Sequence, residues 1–182
     1  AQITEPPKFV ASLESEQNIL CFGEDTGNIN VRVSGGVTPY NFKWSNGATT
    51  QNLTNIPAGD YSLVANDANN CVQNVNTSIE QPSEIELEVS NVDNVLCFGE
   101  HGGSVDISIS GGVGPYSYLW SNGSTTQDIE KVQAGAYSVK ITDANGCSHA
   151  LDATITQPVQ LSLNIANLKN ILCYGELKGA ID

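Results

Sequence analysis

The stretch Cys-Phe-Gly-Glu at residues 21–24 decides how this sequence is organised, because it returns at residues 97–100 and, as Cys-Tyr-Gly-Glu, at 173–176. The interval is 76 residues in both cases. Residues 21–82 align with 97–158 without a gap, with 29 identities in 62 positions. Further pairs have the same spacing: Trp44 and Trp120, Tyr61 and Tyr137, Cys71 and Cys147, and Pro82 and Pro158. The chain is therefore a tandem repeat, and the repeat is the unit that must fold.

This period divides the chain into three parts. Residues 1–82 hold a short lead-in and a first repeat, 83–158 form a second repeat, and 159–182 begin a third, which is too short to bury a core. Gln-Pro closes both complete repeats, and proline ends a strand ladder. Since the sequence contains no Met, we expect a processed chain or a segment of a longer protein.

Apolar and polar residues alternate along nearly every segment of the second repeat, which predicts half-buried strands. Turn-forming dipeptides such as Asn122-Gly123 separate these segments at short intervals. Six or seven short antiparallel strands indicate an all-β fold, and we predict tandem immunoglobulin-like β-sandwich domains in an extended repeat array. The alternating apolar residues are Ile85, Leu87 and Val89; Val105, Ile107 and Ile109; Tyr116, Tyr118 and Trp120; Tyr137, Val139 and Ile141; and Leu151, Ala153 and Ile155.

The net charge of −13, from 20 acidic and 7 basic side chains, argues against a nucleic-acid partner, which requires a basic surface. No apolar run is long enough to predict a transmembrane helix, so we expect no direct membrane insertion. A net charge this far from zero keeps a protein soluble and makes neighbouring copies repel one another.

Five cysteines at matched positions, without a metal-binding Cys-x-x-Cys spacing, indicate disulfides in an oxidising compartment. If the strands between Cys97 and Cys147 alternate strictly in direction, both residues lie at one end of the sandwich. That favours bonds within a repeat, Cys21–Cys71 and Cys97–Cys147, but one additional strand would separate the partners. Bonds between repeats, Cys71–Cys97 and Cys147–Cys173, and free thiols are the alternatives.

Several linked motifs recur in both repeats. The first repeat contains Ser34-Gly35-Gly36, Pro39-Tyr40, Trp44-Ser45-Asn46-Gly47, Ala58-Gly59-Asp60-Tyr61 and Asp67-Ala68-Asn69-Asn70-Cys71. The second contains Ser110-Gly111-Gly112, Pro115-Tyr116, Trp120-Ser121-Asn122-Gly123, Ala134-Gly135-Ala136-Tyr137 and Thr142-Asp143-Ala144-Asn145-Gly146-Cys147. Together these motifs resemble the SprB repeat, named after a giant cell-surface adhesin of gliding Bacteroidetes. The first repeat has Asn70 where the pattern has Gly, and Asn tolerates the left-handed conformation.

The resemblance implies a secreted surface protein with many tandem Ig-like units. Members of this family are exported by the type IX secretion pathway, and the best known is moved along the cell surface by the gliding motor. Some carriers of the repeat are other large secreted proteins.

Two pairs of aromatic residues are candidate structural positions. Trp44 and Trp120 repeat at strand spacing, which favours the sandwich core over a sugar-stacking platform. Tyr61 and Tyr137 closely follow Ala-Gly and resemble tyrosine corners, in which the hydroxyl bonds back to the backbone.

No metal site is predicted, and Ca²⁺ is the one cofactor considered. Oxygen-bearing side chains in two loops would converge if the bonds within each repeat formed, and Ca²⁺ takes 6–8 oxygen ligands. Asx turns that satisfy their own backbone explain the same residues more simply. The residues are Glu24, Asp67 and Asn69 in the first repeat, and Glu100, Asp143 and Asn145 in the second.

Catalysis is not expected, because the two histidines, His101 and His149, correspond to Asp25 and Gln73 in the first repeat, and no nucleophile elbow or phosphate loop occurs.

We predict a stalk segment of a long secreted adhesin filament, attached to the outer membrane, that supports adhesion and gliding motility. A polysaccharide-binding module and an accessory domain of a secreted hydrolase are the alternatives. The expected partners are neighbouring repeats, surface polysaccharide, and the gliding or secretion machinery.

Overall fold

The computed structural model describes residues 4–170, 174–175 and 179–181, and its regular elements are all β-strands. The first repeat contains β1 (Val10–Gln17), β2 (Gly27–Ser34), β3 (Asn41–Trp44), β4 (Leu53–Ile56), β5 (Gly59–Asn66) and β6 (Val72–Ile79). The second contains β7 (Glu86–Asp93), β8 (Gly103–Ser110), β9 (Ser117–Trp120), β10 (Ile129–Val132), β11 (Gly135–Thr142) and β12 (Ser148–Ile155). Two short strands, β13 (Leu168–Lys169) and β14 (Ala180–Ile181), pair with each other. Within these ranges, no helix has the length and apolar character needed to cross a membrane.

Each repeat is a sandwich of two three-stranded antiparallel sheets. The sheet orders are β1-β2-β4 and β3-β5-β6 in the first repeat, and β7-β8-β10 and β9-β11-β12 in the second. These are the orders A-B-E and C-F-G of an immunoglobulin domain that lacks strand D. The predicted all-β, immunoglobulin-like class is confirmed.

Each repeat has its own core, formed by the inward residues of the alternating pattern. On β8, for example, Val105 and Ile107 are buried while Asp106 and Ser108 lie on the outer face. Fully burying one such side chain stabilises the fold by about 1.5–3 kcal/mol. The buried residues include Phe9, Ile29, Val31, Trp44, Leu53, Leu63 and Ile79 in the first core, and Val105, Ile107, Trp120, Ile129, Val139, Ile141 and Ile155 in the second.

The chain changes sheet between β3 and β4, and this fixes the direction of every later strand. We call the end of a repeat at which β2 begins, at Gly27, its lower end, and the end at which β2 stops, at Ser34, its upper end. β3 starts at the upper end, where Asn41 pairs with Asn66 of β5, and β4 finishes at the lower end, where Ile56 pairs with Gly27. β3 and β4 therefore both run from the upper to the lower end, although they belong to different sheets. They count as one strand when the directions of the later strands are worked out. β5 then runs upward, and β6 returns to the lower end.

Two polar side chains hold the chain where it crosses between the sheets. Asn52 Oδ1 accepts the Val31 N–H at 2.9 Å, and Gln51 Nε2 donates to the Val31 carbonyl at 2.5 Å. Asp128 and Gln127 bond Ile107 of β8 in the same way. Val31 and Ile107 lie midway along β2 and β8. There the side chains make the hydrogen bonds that the backbone of a neighbouring strand would otherwise make. Both repeats share the Thr-Thr-Gln-Asn/Asp stretch that supplies these side chains, and this recurrence is their signal in the sequence.

Candidate functional site: the junction between the repeats

The lower end of the first repeat meets the upper end of the second at a disulfide between Cys21 and Cys147. Their Cα atoms are 5.5 Å apart, although the residues are separated by 126 positions in sequence. Cys71 and Cys97 are free and exposed. The bond therefore joins two repeats and closes neither of them.

The predicted intradomain bonds, Cys21–Cys71 and Cys97–Cys147, are wrong. Because β3 and β4 run in the same direction, β5 ends at the upper end and places Cys71 there, whereas Cys21 precedes β2 at the lower end. The two cysteines of a repeat thus lie at opposite ends. Cys71–Cys97 is wrong for the same reason, since these residues lie at the outer ends of the pair. Cys173 lies outside the described residues, and Cys147 is already bonded to Cys21.

The lower loop, residues 18–24, is held by the chain that leaves the first repeat. The Ile19 N–H donates to the Glu80 carbonyl at 2.9 Å. The Gly23 N–H donates to Gln81 Oε1 at 2.8 Å. These bonds fix the first cysteine of the repeat beside the connection to the next one.

Asp143 organises the upper loop of the second repeat, residues 143–147. Its Oδ1 accepts the N–H groups of Asn145 and Cys147, each at 2.9 Å, and its Oδ2 accepts the Val113 N–H at 3.1 Å. The side chain is 6% exposed. The bond across two residues is an Asx turn, and the carboxylate fixes the backbone of the cysteine that forms the disulfide.

Asp67 makes the equivalent bonds in the first repeat. It accepts the N–H groups of Asn69 at 2.9 Å, Cys71 at 2.8 Å and Val37 at 3.0 Å. Burial opposes ionisation of this carboxyl, but the backbone donors outweigh burial and lower the pKa of Asp67 below its ordinary 3.8. Burial first, and then the charge of Asp67, raise the pKa of the Cys71 thiol. The free cysteine therefore has the same backbone support as the bonded one.

The connection between the repeats, residues 80–85, also contacts the upper end of the second repeat. The Gly112 N–H donates to the Ser83 carbonyl at 3.0 Å. Gly111 has a φ of +73°, and a Cβ at this position would lie 1.7 Å from the Glu84 carbonyl oxygen. Only glycine fits there. The Ser-Gly-Gly motif is therefore the part of the second repeat against which the preceding connection packs.

Direct contacts also cross the junction. Asn145 Nδ2 donates to the Leu20 carbonyl at 2.9 Å, and Cys147 Sγ lies 3.3 Å from the same oxygen. A cavity of about 390 Å³ opens beside the disulfide and is shared by both repeats. Its lining includes Phe22, Glu24, Glu84, Asp143 and His149.

The oxygen-bearing residues considered for Ca²⁺ are not brought together within one repeat. Glu24 lies in the lower loop and Asp67 at the upper end. Glu24 and Asp143 do line the junction cavity together, but both carboxylate oxygens of Asp143 already accept backbone N–H groups. Among the described residues, no three His, Cys, Asp or Glu side chains are arranged to hold a metal ion.

The structure places both tryptophans inside the sandwiches. Trp44 and Trp120 are each 2% exposed. Their Nε1–H groups donate to the carbonyls of Thr50 at 2.9 Å and Thr126 at 3.0 Å. Neither indole is available as a surface platform for sugars.

The two candidate corner tyrosines bond the backbone four residues upstream. Tyr61 Oη donates to the Pro57 carbonyl at 2.8 Å, and Tyr137 Oη donates to the Gln133 carbonyl at 2.9 Å. Each bond spans the turn that leads into β5 or β11. Burial, followed by the charge of Asp25, raises the pKa of Tyr61, so this hydroxyl remains a donor at neutral pH.

These features define tandem immunoglobulin-like sandwiches joined end to end by a short connection and a disulfide. The sequence model of the SprB repeat matches residues 14–49 and 89–125, which confirms the resemblance to this repeat at two places in the chain. The matched segments include Cys21 and Cys97 and end before Cys71 and Cys147. The match supports an extracellular, adhesion-type segment with a structural character.

Several solved structures are similar to this chain. The C-terminal 282-residue fragment of intimin, solved with the intimin-binding domain of its translocated receptor, is 13% identical, with a TM-score of 0.47 over 84% of this chain. Extracellular domains 3–5 of Drosophila OTK are 16% identical, with a TM-score of 0.40 over 84% of this chain. The chain spans 64% of the intimin fragment and 62% of the OTK fragment. No curated protein matches the sequence.

Proposed function

We propose that this chain is a stalk segment of a secreted cell-surface adhesin filament. The observation that carries the proposal is the junction. Each repeat receives the chain at its upper end and releases it at its lower end, and the Cys21–Cys147 bond fastens the join. A load applied along the filament is therefore transmitted through strands and a covalent bond.

The disulfide also supports the proposed location. Such bonds persist in oxidising compartments and are rare in the cytosol. Together with the SprB match, this supports export by the type IX pathway to an outer-membrane-attached filament that takes part in adhesion and gliding. Its partners are then neighbouring repeats, the gliding or secretion machinery and, at the adhesive end, surface polysaccharide.

The polysaccharide-binding alternative has lost its leading residues, because Trp44 and Trp120 are buried. Of the aromatic residues in the repeated Cys-Phe-Gly-Glu loops, Phe22 is 48% exposed and Phe98 is 50% exposed. Phe22 lines the junction cavity. We therefore assign these repeats to support of the adhesive site.

The test replaces these two repeats in the parent protein with an unrelated tandem of Ig-like domains of equal length. A control strain lacks the repeats altogether. Antibody labelling of intact cells first verifies that each version reaches the surface. We expect the length-matched replacement to retain attachment and gliding and the deletion to impair both. Loss of attachment in a replacement strain with normal surface labelling would contradict the stalk role and favour direct binding by these repeats.

A further inference from the structure

The two exposed thiols occupy the same positions in the repeat as the two bonded cysteines. Cys97 is equivalent to Cys21, and Cys71 is equivalent to Cys147, each at an interval of 76 residues. We propose that Cys97 bonds the Cys147-equivalent residue of a following repeat, and that Cys71 bonds the Cys21-equivalent residue of a preceding one. Every junction of the array then carries the same disulfide. The inference rests on the proposed function only in requiring that further repeats adjoin this pair.

The lower end of the second repeat is already arranged as a junction surface. The Val95 N–H donates to the Thr156 carbonyl at 2.9 Å, and the Gly99 N–H donates to Gln157 Oε1 at 2.8 Å. These bonds reproduce those that hold the lower loop of the first repeat. Leu96 in this loop is 89% exposed, whereas its equivalent beside the formed disulfide is 56% exposed. The loop presents Cys97 without the neighbour that the inner junction has.

The upper end of the first repeat matches this surface. The Gly36 N–H donates to the Pro7 carbonyl at 2.7 Å, as Gly112 donates to the connection at the inner junction. Asp67 holds the backbone N–H of Cys71 at 2.8 Å, as Asp143 holds that of Cys147. The upper end of the first repeat therefore already has the glycine contact with a preceding connection and the backbone bond that supports a bonded cysteine.

The residues that follow the second repeat also indicate that the neighbour at this end is a further repeat. Leu161 and Leu163 are 94% and 96% exposed. They are equivalent to Ile85, which is buried, and Leu87, which packs against the second core. This apolar alternation is the one found in the first strand of a repeat. The segment is therefore suited to pair with a strand equivalent to β8.

Formation of each bond is a two-electron oxidation, for which glutathione disulfide is a sufficient oxidant. The thiolate of one cysteine attacks a sulfur of glutathione disulfide and releases one reduced glutathione. The second cysteine then displaces the glutathione from this mixed disulfide. Two thiols become one disulfide, and the two protons and two electrons leave on two molecules of reduced glutathione.

The proposed pattern has a mechanical consequence, because the loops closed by successive bonds overlap. The shortest covalent path through two repeats would cross one disulfide and then only the backbone from Cys147 to Cys173, 26 residues in sequence. That backbone extends to about 90 Å, against roughly 500 Å for two unbridged repeats. An oxidised array would therefore resist extension even when its sandwiches unfold.

The test extends the full chain by inserting a second copy of residues 83–158 after Pro158. The protein is refolded in a glutathione redox buffer and its bonds are mapped by mass spectrometry of unreduced peptides. We expect two bonds: Cys21–Cys147, and Cys97 with the Cys147-equivalent residue of the added repeat. Replacing Cys97 with Ser should remove only the second bond. Cys71→Ser is the matched control and should remove neither, because its partner belongs to a preceding repeat.

A free Cys97 thiol in an extended chain that has formed Cys21–Cys147 would overturn the proposal. A bond between Cys97 and a cysteine of its own repeat, or the absence of Cys21–Cys147, would overturn it as well. The mapping is independent of the proposed function, since it reports bonding in purified protein and the replacement strains report attachment of cells.

Discussion

Removing the junction disulfide should destabilise the repeat pair much more than removing the equivalent free thiol. Cys147→Ser opens a loop whose ends are 126 residues apart. In the chain-entropy relation, closing a loop of that length contributes about 5 kcal/mol, and measured disulfides usually contribute about 2–4 kcal/mol. For a unit of about 150 residues, the size of the pair that this loop spans, each kcal/mol changes the melting temperature by about 2–4 °C. We therefore expect a decrease in Tm of roughly 4–16 °C.

Cys71→Ser is the matched control, because Asp67 holds Cys71 as Asp143 holds Cys147, with N–H to Oδ1 distances of 2.8 and 2.9 Å. The sulfur of Cys71 is free, so this substitution should change Tm by less than about 2 °C, as expected for most exposed positions. Thermal unfolding followed by circular dichroism, with and without dithiothreitol, measures both effects. The reductant should lower the Tm of the unmodified chain to that of the Cys147→Ser variant.

Equal Tm values for the two variants would refute this account of the junction, as would a chain whose Tm does not respond to dithiothreitol. A large decrease for Cys71→Ser alone would show that the free thiol, rather than the disulfide, carries the stability. A Tm loss for Cys147→Ser that persists in fully reduced protein would show that the local environment of the sulfur is responsible.

Four further changes test other parts of the structure. Since the pKa of Asp67 is lowered in the folded state, its contribution is present above 3.8 and is lost as the pH falls through the folded pKa; urea unfolding at a series of acidic pH values should show this loss, and Asp67→Asn should reduce the dependence. Trp120→Ala should cost about 3–5 kcal/mol in urea unfolding, because a buried indole leaves a cavity. Gly111→Ala should cost more than about 1 kcal/mol, and Gly123→Ala should cost less, since a Cβ at Gly123 meets nothing within 4 Å. EDTA should leave Tm unchanged, because backbone N–H groups already occupy the oxygens of Asp67 and Asp143; a decrease would indicate a bound cation.

Periodicity was sufficient to predict the class of fold and most of its core. The alternation at Val105 and Ile107 predicted both a strand and the face that it buries. Trp44 and Trp120 recur at strand spacing in both repeats, which a surface platform does not require, and this recurrence predicts their positions in the core. These predictions depend on which side of a strand a residue occupies, and a period of two residues reports that directly.

The direction of a strand is not encoded in that period, and the disulfide prediction failed for this reason. Residues 45–52 carry turn-forming and polar residues that are equally compatible with a hairpin or with a change of sheet. In the structure, Gln51 and Asn52 bond Val31 of the opposite sheet, so the chain continues downward instead of reversing. The side chains that decide between the two outcomes act on a strand about 20 residues away, beyond the reach of a local pattern.

Because the same two cysteine positions recur in each repeat, only a few pairings can be repeated along the array. A cysteine of the Cys21 type can bond the Cys71-type residue of its own repeat, of the preceding repeat or of the following one. Placing the two types at opposite ends excludes the first arrangement. The chain leaves each repeat at its lower end and enters the next at its upper end, so a lower-end cysteine meets only the following repeat. The observed Cys21–Cys147 bond is the arrangement that satisfies both conditions, and the change of sheet at residues 45–52 is the structural feature on which the pairing depends.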